Sequence, residues 1–152
     1  MRNRARWTLL LAGLSALLLT AAACAPAATP TPSNTIQGIV WQWTSVANKS
    51  TQQTTTVPNP ENYTIVFNAD GTLNGKADCN TFTGTYSQQN GFSITLGAST
   101  MAFCGEGSLD QQYTQLLTSV AAGGPDGAGG LALETAGGEQ RMSFKNGGAA
   151  PQ

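Results

Sequence analysis

The residue types that could carry chemistry are few in this chain of 152 residues, and histidine is absent. Without an imidazole, the sequence excludes Ser-His-Asp and Cys-His catalysis and zinc sites that need a histidine ligand. The most suggestive cluster is Asp78-Cys79-Asn80, where a carboxylate and an amide flank a thiol. Short polar side chains at a strand end usually satisfy nearby backbone groups. Asp78 and Asn80 are therefore a candidate surface site, with a local structural role as the main alternative.

The other acidic and glycine-rich segments do not build a catalytic or metal site by their spacing. Asp70 stands in an Asp-Gly pair, which is typical of a turn. The acids to consider for calcium are Glu106, Asp110 and Asp126. They lack the Asp-x-Asp-x-Asp-Gly loop that holds this ion, and the glycines at 123–130 lack the Lys-Ser/Thr of a phosphate-binding loop. We expect no catalytic residue, no metal and no cofactor, and we expect the protein not to be an enzyme.

The first of the three cysteines closes a segment typical of an export signal. Three arginines lie within the first six residues, a nearly continuous apolar run covers residues 7–19, and Ala21-Ala22-Ala23 precedes Cys24. Ala21–Cys24 resembles the bacterial lipobox, with Ala21 in place of the usual leucine. We predict a lipoprotein signal peptide over 1–23 and lipid attachment at Cys24. The alternatives are an uncleaved signal anchor and an ordinary signal that leaves Cys24 as a spare thiol.

Residues 24–35 are rich in proline, threonine and alanine, which is typical of a semi-rigid tether. Such a tether would hold a folded domain away from a membrane surface. The sequence thus predicts an exported protein, anchored by its N-terminal lipid to the outside of the cytoplasmic membrane or to the outer membrane.

Cys79 and Cys104 most simply pair with each other, because an exported protein meets an oxidising compartment. Closing this 25-residue separation would stabilise the domain by about 3.5 kcal/mol in the loop-entropy model. A redox pair would need the C-x-x-C spacing, and no further thiol or imidazole completes a metal site.

The charge of the exported part argues against nucleic acid as a partner. Beyond Cys24 the chain carries four cations against eight acids, a net charge of −4. A nucleic-acid-binding domain would show a basic footprint instead.

Alternating apolar and polar residues predict about seven short antiparallel strands. They cover residues 39–43, 63–67, 73–77, 82–86, 92–96, 131–133 and 142–144. Asp70-Gly71 and Asn90-Gly91 mark two hairpin turns. Residues 48–60 are predicted to form an exposed loop, and residues 148–152 a disordered tail.

One amphipathic helix interrupts the strands. Ser108 and Gln111 fit a capping box, and Asp110 suits the positive end of the helix. Its apolar stripe consists of Tyr113, Leu116, Leu117 and Val120. Gly123-Gly124-Pro125 is predicted to end it. The expected fold class is α+β and mainly antiparallel β, with a curved sheet or partly open barrel and one helix packed on it. A sandwich of strands alone is the alternative.

An ordered set of motifs from Gly38 to about Lys145 resembles the META domain, also called the HslJ-like domain. The motifs are Trp41-x-Trp43, Tyr63-x-Ile65-x-Phe67, Asp70-Gly71, Gly75-x-Ala77-Asp78-Cys79-Asn80, Phe82-x-Gly84-x-Tyr86, Met101-x-x-Cys104, the helix with Asp110, Tyr113 and Leu117, Leu131-x-Leu133 and Met142-x-Phe144. We assign residues 36–147 to this domain. Trp43 stands where an aliphatic residue is more usual, and the 48–60 loop is long for the family.

The resemblance implies a partly open antiparallel barrel with a helix, often carried by envelope lipoproteins and sometimes linked to heat or drug stress. It implies no established enzymatic reaction. We therefore expect a monomeric envelope lipoprotein that acts through contacts with an unidentified envelope protein. The alternative is a binder of a small apolar ligand or lipid in the barrel mouth, where Gly75, Ala77 and Gly84 could leave space between aromatic strand faces.

Overall fold

A computed structural model describes residues 35–151 of the chain. The predicted signal peptide, Cys24 and the tether up to residue 34 lie outside the described residues. Within residues 35–151 the chain forms nine strands, one α-helix and two short 3-10 helices. The elements are β1 (Ile39–Asn48), β2 (Gln53–Thr56), β3 (Tyr63–Phe67), β4 (Thr72–Ala77), β5 (Asn80–Ser87), β6 (Ser93–Ser99), α1 (Asp110–Thr118), β7 (Val120–Pro125), β8 (Leu131–Thr135) and β9 (Gln140–Ala149), with the 3-10 helices at Pro60–Asn62 and Ala136–Gly138.

Eight of the strands form one path in the order β6-β5-β4-β3-β1-β9-β8-β7, and β2 pairs separately with β1. All of these strand pairs are antiparallel. The two edges of the path approach each other where the Phe92 N–H, just before β6, donates to the Ala121 carbonyl on β7 at 2.9 Å. The predicted α+β fold with a curved antiparallel sheet and one helix is confirmed.

Large side chains from the sheet and the helix fill the interior as one cluster. Tyr113 on α1 stacks on Trp43 with ring centroids 5.0 Å apart, and Tyr63 meets both rings edge-on at 5.8 Å. The space left by Gly75 on β4 is taken by the ring of Phe82 on β5. The small residues of β4 therefore admit aromatic side chains into the core.

The strands carry the chain between two ends of the curved sheet. At the first, which we call the proximal end, the chain enters the sheet: Gln37 bridges to Phe67, and its amide donates to the Tyr86 hydroxyl at 2.9 Å. At the other, the distal end, β4 and β5 turn between Ala77 and Asn80. Phe67 and Tyr63 lie four residues apart on β3, which corresponds to about 13 Å at ~3.3 Å per residue.

The exposed loop predicted over 48–60 is partly wrong, because Gln53–Thr56 forms β2 and pairs with the second half of β1. All four side chains of β2 are exposed, so no buried alternation marks the strand in the sequence. Its threonines are β-branched and favour extended backbone. In the turn between β1 and β2, the Asn48 side-chain oxygen accepts hydrogen bonds from the N–H groups of Ser50 and Thr51.

The predicted helix ends were wrong at both termini. α1 begins at Asp110 after Leu109, and Ser108 accepts only from the Asp110 N–H at 3.2 Å, so no capping box forms. The Leu109 N–H donates instead to the Tyr63 hydroxyl at 2.9 Å. At the other end the helix stops at Thr118, and Val120 is buried as the first residue of β7.

The segment Gly123-Gly124-Pro125, expected to terminate the helix, is part of β7 and pairs with β8. A Cβ at Gly123 would lie 2.9 Å from the Ala132 carbonyl, so glycine allows the close approach of these two strands. The prediction that these residues end the helix is therefore wrong, because their backbone pairs with β8.

The predicted disordered tail over 148–152 is wrong for its first residues, since β9 continues to Ala149. Ala149 pairs with Ile39, and the Ala150 N–H donates to the Gly38 carbonyl at 2.9 Å. These exposed alanine and glycine residues are held by backbone hydrogen bonds to β1, for which hydropathy gives no signal.

The hydroxyl of Tyr113 is fully buried and has no hydrogen-bond partner among the described residues. An unpaired buried hydroxyl costs free energy, so we expect Tyr113→Phe to raise the free energy of unfolding by about 1 kcal/mol. Urea titration at neutral pH measures this difference. Tyr63→Phe is the matched control and should lower it, because that hydroxyl accepts from Leu109.

A second readout is the pH dependence of the same variant. Burial raises the pKa of Tyr113 well above its ordinary value. The unfolded chain would therefore lose this proton at about pH 10 while the folded chain keeps it. The stability tied to this proton is intact below about pH 10 and is lost above it. The advantage of Tyr113→Phe over wild type should grow above about pH 10; an equal or smaller advantage there would contradict the assignment.

Candidate functional site

A groove of about 330 Å³ lies at the distal end, between the segment 99–103 and the start of α1. Ala77 and Asn80 from the β4–β5 turn form part of its lining, and Asp110, Gln111 and Thr114 line it from the helix. The groove is thus built by three parts of the chain that meet only in the folded domain.

The β4–β5 turn begins with Asp78 in the left-handed region, at φ +59°. Aspartate tolerates this conformation better than most residues. The Asp78 N–H donates to the Asn62 carbonyl at 2.7 Å. Asp78 is half-buried and is not among the residues that line the groove. These contacts give Asp78 a role in shaping the turn.

The predicted disulfide between Cys79 and Cys104 is present, with the two Cα atoms 5.5 Å apart. It joins the β4–β5 turn to the irregular segment that leads into α1. The covalent link therefore fixes one end of the segment that forms the groove wall.

Asn80 holds the same segment through hydrogen bonds and is only 5% exposed. Its side-chain oxygen accepts from the Ala102 N–H at 2.7 Å and from the Thr100 hydroxyl at 3.1 Å. Its amide donates to the Ala102 carbonyl at 3.0 Å and to the Asp110 carboxylate at 3.3 Å. Asn80 thus lines the groove and also positions both of its walls.

Met101 and Phe103 are the large apolar side chains that lie exposed in the described part of the chain, at 95% and 84%. Both side chains line the same groove, so together they form a contiguous apolar surface that a partner could cover. The disulfide and Asn80 keep their segment in place, so exposure does not come from a loose loop. We call the two side chains and the groove beside them the distal patch.

Sequence reasoning did not single out Phe103, and it used Met101 only as part of a family motif. Periodicity reports which side chains face a core only within regular helices and strands. The signal that could have found both residues was their position in an irregular segment tied by Cys104.

A second depression of about 260 Å³ lies beside Phe103 and is lined by Glu106, Ser108 and Asp110 among others. Phe103 and Asp110 line both depressions. Neither lining includes a lysine or arginine. Within residues 35–151 both ion pairs involve Glu134, so Asp110 and Glu106 have no cationic partner there. The distal patch is therefore apolar with acidic margins.

The remaining carboxylates with clear contacts stabilise turns and strands. A hydrogen bond from the Thr72 hydroxyl lowers the pKa of Asp70, and the N–H groups of Ala128 and Gly130 lower that of Asp126. Hydrogen bonds from Arg141 and then Lys49 lower the pKa of Glu134. All three carboxylates are therefore ionised at neutral pH and hold local structure, which agrees with the turn role predicted for Asp70.

No three side chains among the His, Cys, Asp and Glu residues of 35–151 lie close enough to share a metal ion. The one α-helix of this part of the chain lacks the length and apolar character needed to cross a membrane.

Comparisons with known proteins agree with the resemblance found in the sequence. A family model described as "META domain" matches residues 34–147. A similar solved structure is the crystal structure of a DUF4847 family protein from Bacteroides vulgatus ATCC 8482. It shares 15% sequence identity with a TM-score of 0.57, over 72% of this chain and 93% of that one. At this identity the likeness shows a shared fold alone. Among curated proteins, no match was found.

Proposed function

Since this chain belongs to the META domain family, we propose that it is a non-enzymatic, lipid-anchored envelope protein that binds another envelope protein through its distal patch. The anchor is supported by the arginine-rich start, the apolar run and the alanines before Cys24. The proline-containing segment that follows would serve as the tether.

The observation that carries the binding role is the exposure of Met101 and Phe103 on a fixed segment. Exposed apolar side chains reduce solubility unless a partner covers them. A disulfide and four hydrogen bonds between Asn80 and the residues Thr100, Ala102 and Cys104 hold their segment in position. A preorganised surface of this kind loses little conformational entropy when it binds.

The position of the patch within the domain supports its accessibility to a partner. The chain enters the sheet at the proximal end, next to Phe67, whereas the patch lies at the distal end, beyond Tyr63 and Ala77. The first described residues therefore do not cover the patch, which leaves it accessible to a partner.

The alternative of a small apolar ligand or lipid in the barrel mouth has less support. Trp43, Tyr63 and Tyr113 fill the interior behind the groove. A small guest would have to lie in the open groove itself, where Asp110 and Asn80 are polar neighbours.

The test is photo-crosslinking in intact bacterial cells that process lipoproteins. A benzophenone amino acid replaces Phe103 in one variant and Gln89, exposed in the turn between β5 and β6, in the control. We expect a discrete crosslinked species from position 103 in the membrane fraction and none of the same mass from position 89. Adding Met101→Ser to the position-103 variant should reduce the yield by about tenfold, as loss of one interface anchor does.

Four outcomes would overturn this proposal. One is an equal crosslinking pattern from both positions, and another is the absence of a discrete species from position 103. The third concerns the anchor: Cys24→Ser should move the protein out of the membrane fraction, so an unchanged distribution would exclude lipid attachment at Cys24. A crosslinked species of twice the chain mass would identify the partner as a second copy and contradict a monomer.

A further inference from the structure

The charges around the distal patch bear on the chemistry of its partner. We infer that the groove beside Phe103 binds an extended protein segment in which an apolar side chain stands next to a lysine or arginine. This inference rests on the proposed function and adds the chemical class of the partner to it.

The apolar part of the inference comes from the walls of the groove. Met101 and Phe103 are exposed at 95% and 84%, and the exposed Ala102 lies between them in the chain and lines the same groove. Its volume of about 330 Å³ can accept at least one large side chain of an extended segment. Burial of such a side chain would cover the apolar surface that water now meets.

The cationic part comes from Asp110 and Glu106. Asp110 lines both of the depressions that Phe103 lines, and Glu106 lines the smaller one. Asn80 donates one hydrogen bond to Asp110, which leaves the carboxylate able to accept more. Lys76, the cation nearest to this region in the sequence, donates to Asn62. A lysine or arginine of a partner would supply the missing countercharge.

The aromatic ring of Phe103 suits the same partner. A cation held over the face of an aromatic ring is attracted by the ring quadrupole. Phe103 lines both depressions, so it lies beside the carboxylate that would hold the cation. An apolar side chain in the larger depression and its cationic neighbour at Asp110 would then lie on one short stretch of chain.

The same charges disfavour two other classes of partner. The part of the chain beyond Cys24 carries a net charge of −4, and the charged groups that line the patch are acidic. Anionic phospholipid surfaces and nucleic acids would be repelled, because both present negative charge to a protein.

The experiment selects a random peptide library, displayed on phage, against the exported Cys24→Ser chain. A parallel selection against the same chain with Phe103→Ser removes peptides that bind elsewhere. We expect the peptides that depend on Phe103 to be enriched in lysine or arginine directly beside a leucine, methionine or aromatic residue. The most enriched peptide is then synthesised and its affinity measured by calorimetric titration.

Asp110→Asn should weaken that peptide by about five- to tenfold at low salt, and Glu106→Gln should weaken it less. Asparagine keeps an acceptor for Asn80, so the groove should be retained. Glu139→Gln is the matched control: it removes one charge from an exposed site outside the patch and should leave the affinity unchanged.

The outcomes separate the inference from the proposed function. Peptides that depend on Phe103 but lack cations, or an affinity unaffected by Asp110→Asn, would overturn the inference and leave the binding role intact. A selection without any Phe103-dependent peptide would overturn both. An equal loss in Glu139→Gln would show that overall charge, and not the groove, attracts the peptide.

Discussion

Replacing Cys79 and Cys104 together by alanine is expected to lower the free energy of unfolding by about 3.5 kcal/mol. The disulfide closes a separation of 25 residues, and its main effect is to restrict the unfolded chain. Removing both cysteines avoids a free thiol that could pair with another molecule. Urea titration of the oxidised wild type and of the double variant measures the difference, and the m-value should be larger in the variant because its unfolded chain is no longer cross-linked.

The loss should be accompanied by local loosening of the distal patch. In the wild type the segment from Ser99 to Cys104 is held by the disulfide and by Asn80. Without the disulfide, we expect faster amide hydrogen exchange at Ala102 but little change in the β3–β4 hairpin. Cys24→Ser is the control because it replaces a cysteine that takes no part in the disulfide. A loss below about 1 kcal/mol would mean that the unfolded chain is already compact in this region.

The disulfide that stabilises the domain also holds the segment that carries the proposed binding residues. The exposed positions of Met101 and Phe103 depend on a segment with no regular secondary structure. If the disulfide preorganises the patch, the alanine double variant should also crosslink less from position 103. A double variant that lost stability but crosslinked as well as wild type would show that Asn80 alone positions the patch.

The strands that the sequence predicted well are those whose alternate residues face the core. β3 carries Tyr63, Ile65 and Phe67 toward the interior, and an Asp-Gly turn follows directly. Hydrophobic alternation and turn chemistry here indicate the same hairpin, so local and tertiary preferences agree. The resemblance to the META domain rested on the same residues.

The elements that the sequence missed are held by backbone pairing alone. β2 and the end of β9 have exposed side chains, and each pairs with an end of β1. The helix was predicted too long because Val120 continues its apolar stripe, although Val120 belongs to β7. Pairing of Val120 with Thr135 on β8 decides this boundary, and the apolar pattern of the helix does not report it.

The disulfide of the candidate site could be predicted from the sequence, whereas the exposed side chains of the distal patch could not. Oxidising export and two leftover thiols predicted the Cys79–Cys104 bond, which the structure contains. The exposure of Phe103 depends on how that bond and Asn80 direct an irregular segment. Composition and periodicity do not predict which side chains of an irregular segment face solvent. The patch can therefore be identified only in the folded structure.

Gly75→Ala is expected to lower the free energy of unfolding by about 3 kcal/mol, at the upper end of the usual cost of overpacking. A Cβ on Gly75 would overlap the carbonyl oxygen of Thr64 on β3 and the ring of Phe82 on β5. The matched control is Gly107→Ala, where no atom lies within 4 Å of the added Cβ. We expect the control to stay within about 0.5 kcal/mol of wild type. Thermal or urea unfolding of the two variants side by side measures the difference.

A double variant separates the two overlaps at Gly75. The ring of Phe82 could be shortened by Phe82→Leu, whereas the Thr64 carbonyl belongs to the β3–β4 ladder and cannot move away alone. Gly75→Ala with Phe82→Leu should therefore recover only part of the loss, as a coupling measured in a double-mutant cycle. Full recovery would mean that Phe82 alone excludes a side chain at Gly75, and a loss below about 1 kcal/mol in Gly75→Ala would mean that the strands shift to accept it. If Gly75→Ala loses about 3 kcal/mol and the double variant recovers only part of that loss, the absence of a side chain at Gly75 serves two purposes. It leaves room for the Phe82 ring in the core, and it allows the close approach of β4 to β3.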